Sequence, residues 1–108
     1  KNIFPEMEFE ALGSQWGRSG NGIYEIDILA VNKAKNEILF GECKWKDKVN
    51  VLEILKELEE KSKYVPWGND KRKESFVVFA KSFSKRITEF NEKKVYCFDL
   101  KDLERELK

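Results

Sequence analysis

Two runs of alternating residues, separated by four polar ones, constrain this chain more than any other feature in it. Over residues 23–31, Tyr24, Ile26, Ile28 and Ala30 fall on one face of an extended chain and Glu25, Asp27, Leu29 and Val31 on the other. After Lys33-Ala34-Lys35-Asn36 the alternation resumes over residues 37–45, with Ile38, Phe40, Glu42 and Lys44 on one side and Leu39, Gly41, Cys43 and Trp45 on the other. Two such strands joined by so short a loop predict an antiparallel hairpin whose paired positions sum to 69. On one face that register sets Val31 against Ile38, Leu29 against Phe40, Asp27 against Glu42 and Glu25 against Lys44. Half of this face is apolar and half is charged.

Downstream the period changes. Val51, Leu52, Ile54, Leu55 and Leu58 make an apolar stripe at helical spacing over residues 51–64, Asn50 with Glu53 resembles a capping box, and Pro66 and Gly68 end the segment. Residues 75–80 are aromatic and β-branched without polar alternation, the pattern of a central strand covered on both faces. Ser84 is placed to cap a short helix carrying Ile87 and Phe90. Residues 95–98 repeat the covered-strand pattern, and Asp99 is placed to cap a last helix with Leu100, Leu103 and Leu107 inward. A hairpin followed by alternating helices and strands implies an α/β fold, one mixed β-sheet flanked by helices. The 108 residues suffice for one domain, 1–108, in which residues 1–22 read as an irregular lead-in because they lack clean periodicity. That opening, with Lys1 in first place, is expected of a C-terminal fragment of a larger protein.

Composition narrows the chemistry. There is no histidine, which removes Ser-His-Asp and Cys-His mechanisms and every Cys/His zinc site, so any reaction must run on carboxylates, lysines or a metal held by oxygen. Cys43 and Cys97 sit in apolar, strand-like stretches and read as reduced core residues. Charged residues make up 38 % of the chain yet balance to a net charge of +1, so contact with nucleic acid must come from local patches. The Lys and Glu excess with a single glutamine, Gln15, leans towards a thermophilic source. The longest apolar run, residues 76–80, is far short of the roughly 20 residues that cross a bilayer, so a soluble, cytoplasmic protein without a membrane partner is expected. The Gly17–Gly22 loop lacks a phosphate-cradle fingerprint, and ATP is not expected to bind this segment.

The charged half of the hairpin face is where function is legible. Two carboxylates set opposite one another beside an apolar patch repel, and a divalent cation offsets that repulsion; Mg²⁺ is commonly held by one or two carboxylates while keeping waters and accepting phosphate oxygens. Lys44 projects from the same face as Glu42, two residues on. Asp27, Glu42 and Lys44 thus make a candidate phosphodiester-hydrolysis site, with the two acids as metal ligands and the lysine positioning the attacking water. On spacing alone the plainer account outweighs it, with Glu25 and Lys44 as a cross-strand ion pair and Asp27 as a solvated charge. Lys46 and Lys48, with Trp45 between Lys44 and Lys46, form a basic end to the hairpin, and these two lysines with Arg18 are the expected nucleic-acid contacts. Lys71-Arg72-Lys73 reads as a solvated loop beside Trp67, and Trp16 and Trp45 as packing residues.

The stretch Glu25-Ile26-Asp27-Ile28-Leu29-Ala30 followed by Phe40-Gly41-Glu42-Cys43-Lys44-Trp45 resembles the PD-(D/E)XK nuclease superfamily. More narrowly, with Trp16-Gly17 before it and the Leu/Glu-rich segment 52–61 after it, it is similar to the C-terminal domain of unknown function attached to archaeal AAA-type ATPases, over roughly residues 14–104. The resemblance implies a restriction-endonuclease-like core, Asp27 and Glu42 as ligands of Mg²⁺ (or Mn²⁺), Lys44 as the catalytic lysine, DNA as substrate, and an ATPase region earlier in the same parent chain. The sequence departs from the superfamily in two places. The further acid usually supplied by a helix before the first core strand is not visible, Glu8 and Glu10 being poor substitutes, and Ile26 takes the place of the proline that often precedes the aspartate. The alternative reading is a non-catalytic module of the ATPase that docks DNA or self-associates as a homodimer.

Overall fold

The computed structural model describes residues 10–19, 22–68 and 71–107, with side chains over 26–68 and 71–105. In chain order these form strands β1 (Glu10–Ser19), β2 (Gly22–Asn32), β3 (Glu37–Lys44) and β4 (Val49–Asn50), helix α1 (Val51–Ser62), strands β5 (Lys73–Ala80), β6 (Phe83–Lys85), β7 (Glu89–Phe90) and β8 (Lys93–Phe98), and helix α2 (Leu100–Leu107). The hairpin of β2 and β3 forms in the expected register, Ile28 with Gly41, Leu29 with Phe40, Ala30 with Leu39 and Val31 with Ile38. The connection from β3 through α1 returns to β5 in parallel, and β8 adds parallel to β5. The result is a mixed sheet in the order β1-β2-β3-β5-β8-β7, with β4 and β6 paired separately.

Side-chain period decides which face each residue covers. Ile38 and Phe40 of β3 and Leu29 and Val31 of β2 pack with Ile54, Leu55 and Leu58 of α1. Leu39, Ala30 and Val77 build a smaller cluster with Ile28, Phe79, Tyr96 and Phe98 on the opposite face. Leu55 and Leu58 are fully buried, each contributing on the order of 2 kcal/mol of transfer free energy. Asn50 caps α1, its side chain accepting from the Leu52 N–H at 3.1 Å. Asp99 caps α2 reciprocally: Asp102 N–H donates to Asp99 Oδ1 at 2.9 Å, and Asp99 N–H donates to Asp102 Oδ2 at 3.0 Å.

Several expectations need correction. Within the expected lead-in over residues 1–22, β1 is a ten-residue strand of the sheet, and residues 1–9, 20 and 21 lie outside those described. Its pairing with β2 shifts register between Ala11 and Gly13 and again between Gly13 and Gln15, and a strand with two shifts does not keep a clean alternation. The helix expected from Ser84 is instead β6, an irregular link and β7. Phe83, Ile87 and Phe90 have helical spacing and do pack on the core. The backbone of Phe83, however, pairs with Val49 and that of Phe90 with Lys93 of β8, and Asn91 and Glu92 at φ 49° and 66° make the two-residue turn of a β7–β8 hairpin. Leu100 is exposed rather than inward; Leu103 is partly buried, α2 meets β8, and the Leu107 side chain lies outside those described.

Arg72, expected in a solvated loop, is partly buried, its side chain only 7 % exposed. Its guanidinium donates to the carbonyls of Ser62 (2.7 Å), Val65 (2.5 Å) and Trp67 (2.9 Å) and to Glu74, closing the C-terminal end of α1. Both cysteines are free, but Cys43 is exposed and Cys97 only partly buried. Cys43 comes after the last β2–β3 pair, so no residue of β2 stands beside it in the ladder to cover it.

Gly41 has a packing reason to be glycine. A Cβ there would lie 2.5 Å from Val77 Cγ1 and 2.9 Å from Ile28 Cβ, so β2, β3 and β5 approach too closely for a side chain. Gly41→Ala is expected to lower stability by about 1–3 kcal/mol in urea titrations followed by circular dichroism. Wild-type stability in that variant would contradict the packing described here.

Candidate functional site

At the charged end of the hairpin β2 leaves β3. Their ladder stops at Ile28–Gly41, while β3 continues to pair with β5 as far as Lys44–Ala80. On the other side of β2, two residues, Asp27 and Ile28, stand against the single residue Ser14 of β1, between the pairs Gln15–Ile26 and Gly13–Leu29. This is a β-bulge, a device that re-aims side chains. It breaks the alternation read from the sequence, so that Ile26 joins Leu29 and Val31 in the core with α1 instead of sharing a face with Ile28 and Ala30.

Asp27 therefore does not face Glu42 as a regular ladder pair. Its Oδ2 accepts a hydrogen bond from the Cys43 N–H at 3.1 Å, replacing the next rung of the ladder with a charge-assisted bond. Glu42 follows Ile38 and Phe40 along the side of β3 that faces α1 and is only 7 % exposed. Its Oε2 has no hydrogen-bond partner among the described residues, and Lys61 Nζ stands 3.8 Å away, an ion-pair distance rather than a hydrogen bond. Burial pushes the Glu42 carboxyl above its ordinary pKa; Lys61 opposes this, Asp27 adds to it, and Lys44 and Glu57 act more weakly in opposite senses. The Cys43 thiol is likewise pushed up, first by partial burial and then by the Asp27 and Glu42 carboxylates. Asp27, Lys44 at the end of β3, and Lys61 and Glu57 on α1 thus all act on the Glu42 carboxylate.

Of the three residues singled out for chemistry, Asp27 accepts from the N–H of Cys43, the residue after Glu42, and Lys44 ends β3 two residues beyond Glu42. Lys46 and Lys48 are exposed and line, with Lys44, Asn50, Glu53 and Glu57, a cleft of about 250 Å³ at the start of α1. Arg18 lies in β1 opposite Ile23, where only the backbone is described. Trp45 is 45 % exposed rather than packed, and the Trp16 side chain lies outside those described. Glu57 and Lys61 were not legible as part of the site. They sit one turn apart on α1, and periodicity marks that helix's buried stripe without saying which strand end its polar flank overlooks.

A larger cavity, of about 660 Å³, lies at the opposite ends of the strands, around Glu37, Glu74 and Lys93. Its central acid is already satisfied. Glu74 takes bonds from Arg72 at 2.8 Å and Lys93 at 2.7 Å, which outweigh its burial and hold its carboxyl below the usual range. Glu42, among the described residues, is the acid with a buried oxygen that accepts no hydrogen bond. Among the described residues no group of three or more His, Cys, Asp or Glu could hold a metal. Among them also, no helix is long and apolar enough to cross a membrane.

Residues 2–65 match the DUF234 family, archaeal and bacterial proteins of unknown function, and the chain belongs to that family. The matched segment includes β2, β3 and α1, and so Asp27, Glu42, Lys44 and Lys61. No curated protein and no solved structure matches the chain.

The raised pKa of Glu42 has a thermodynamic sign. A carboxyl that holds its proton more tightly folded than unfolded contributes stability below its ordinary pKa of 4.5, and that contribution is lost as pH rises through the higher folded value. In chelator, wild-type stability should fall across this window. Glu42→Gln should lack that fall and melt at a higher temperature than wild type at pH 7, as read by thermal denaturation over a pH series.

Proposed function

We propose that this member of the DUF234 family is a metal-dependent phosphodiesterase of DNA, built on a restriction-endonuclease-like core of the PD-(D/E)XK type. The observation that carries the reading is the buried, unpartnered Oε2 of Glu42 beside the Asp27 carboxylate on the neighbouring strand. An unsatisfied buried carboxylate oxygen costs stability and is retained where it has a ligand to meet. A cation fits this donor set, since it offsets both burial and mutual repulsion, and Mg²⁺ or Mn²⁺ held by Asp27 and Glu42 is the group proposed.

When bound, such an ion supplies charge neutralisation of the scissile phosphate and acidification of water. The chain's own groups do the rest. Asp27 is anchored by the Cys43 N–H, so its carboxylate is pre-oriented. Lys44, two residues beyond Glu42 on β3, orients the attacking water and stabilises the charge that develops on the phosphate oxygens. Lys46 and Lys48, exposed beyond it, hold flanking phosphates without reading sequence. The ATPase region of a longer parent chain and a cytoplasmic setting belong to this proposal.

A second reading, a non-catalytic module of such an ATPase that docks DNA or self-associates, is favoured by the donor set, in which no group of three or more His, Cys, Asp or Glu among the described residues could hold a metal. The two readings separate in a supercoiled-plasmid nicking assay with Mg²⁺, Mn²⁺ or EDTA, run on the natural chain that carries the domain. The catalytic reading expects metal-dependent nicking that is abolished by Asp27→Ala or Glu42→Ala. It expects a loss of about 10²-fold or more in Lys44→Ala, with folding intact. DNA binding that persists in all three variants, with no nicking by wild type in any metal, would leave only the docking module.

A further inference from the structure

We infer that Lys61 of α1 is a built-in, displaceable counter-ion of the Glu42 carboxylate, and that it sets how tightly the site takes a divalent cation. The inference rests on the metal-site reading above and names a residue that reading does not use.

The geometry is that of a place-holder rather than a structural ion pair. Elsewhere in the molecule, acids paired for stability are closely bonded: Glu74 to Arg72 at 2.8 Å and to Lys93 at 2.7 Å, Asp99 to Arg86 at 2.6 Å. Lys61 Nζ stops at 3.8 Å from Glu42 Oε2, and that oxygen is left without a hydrogen bond although Glu42 is more than nine-tenths buried. The ammonium thus answers the charge of the carboxylate but not its hydrogen-bonding need. Lys61 stands near the C-terminal end of α1 with a quarter of its side chain exposed, so its flexible stem can swing its charge towards solvent without disturbing the core. Glu57, one turn earlier on the same helix, offers an acid at the helical spacing that lysines commonly pair across.

A cation held by Glu42 Oε2 would find the Lys61 ammonium within a few ångströms. Two positive charges that close, next to a buried wall, repel strongly. The cation and the lysine are therefore alternatives at this oxygen. Every gain in cation affinity is offset by the work of moving the lysine away.

The test is Mn²⁺ titration of the metal-free protein by calorimetry at one pH, with wild type, Lys61→Met, Lys61→Arg and Lys63→Met compared. Lys63, the residue just past the end of α1, is an exposed lysine that pairs with Glu60, so its variant removes the same charge without touching the site. The inference expects Lys61→Met to bind about tenfold more tightly, the lower end of what one neighbouring charge does to a carboxylate's affinity for a proton. Lys61→Arg and Lys63→Met should bind as wild type does. Thermal melts check that each variant folds, and should Lys61→Met fail to fold, Lys61→Gln serves in its place. Wild-type binding that is unchanged or weakened in Lys61→Met overturns the role of Lys61 and leaves the metal site standing. Binding by none of the four proteins overturns both, and binding by Lys61→Met alone supports the inference in its strongest form.

Discussion

Along β3 the side chains turned towards α1 run Ile38, Phe40, Glu42, and the third carries a charge into surroundings made for the first two. A carboxylate so buried is unfavourable unless something answers it. Much of the local structure bears on that position. Gly41 lets β2, β3 and β5 close up immediately before it, and the bulge at Asp27 and Ile28 carries β2 away at the point where its ladder to β3 stops. From α1, Lys61 brings a positive charge without a hydrogen bond.

The two ends of the sheet handle buried acids in opposite ways. Around Glu74, burial is answered by direct bonds from Arg72 and Lys93, and the carboxyl sits below its usual range. Arg72 also ties down the end of α1 through the Ser62, Val65 and Trp67 carbonyls, which is a structural task. Around Glu42 the answer is incomplete and the carboxyl sits above its usual range. A satisfied acid stabilises the fold it belongs to, whereas an unsatisfied one stores a cost that a ligand can remove. That contrast is what supports the proposal of a site at the carboxyl end of β3, although the larger cavity lies at the other end.

What was legible beforehand was legible through period and register. Alternation over residues 37–45 placed Ile38, Phe40 and Glu42 on one side, and they lie there. The loop at 33–36 set the β2–β3 register, and the pairs from Ile28–Gly41 to Val31–Ile38 follow it. The misreadings share a cause. Phe83, Ile87 and Phe90 carry helical spacing, yet Phe83 pairs with Val49 far back in the chain and Phe90 with Lys93 across a tight turn, and apolar spacing does not reveal backbone pairing. Ile26 changed faces, and β1 went unseen, because bulges interrupt the two-residue period by which strands are recognised.

The sequence by itself determined that a hairpin brings an acid and an E-x-K segment onto neighbouring strands, because a side-chain period of two and a four-residue loop leave one register open to it. Only the tertiary structure decided how those groups meet. The bulge turned Asp27 onto the Cys43 N–H, and packing of α1 on the sheet buried Glu42 and brought Lys61 to its oxygen. The physical reason is range: dihedral preferences and period act between neighbours in the chain, whereas burial and charge act between groups that only the packed fold brings within a few ångströms of one another.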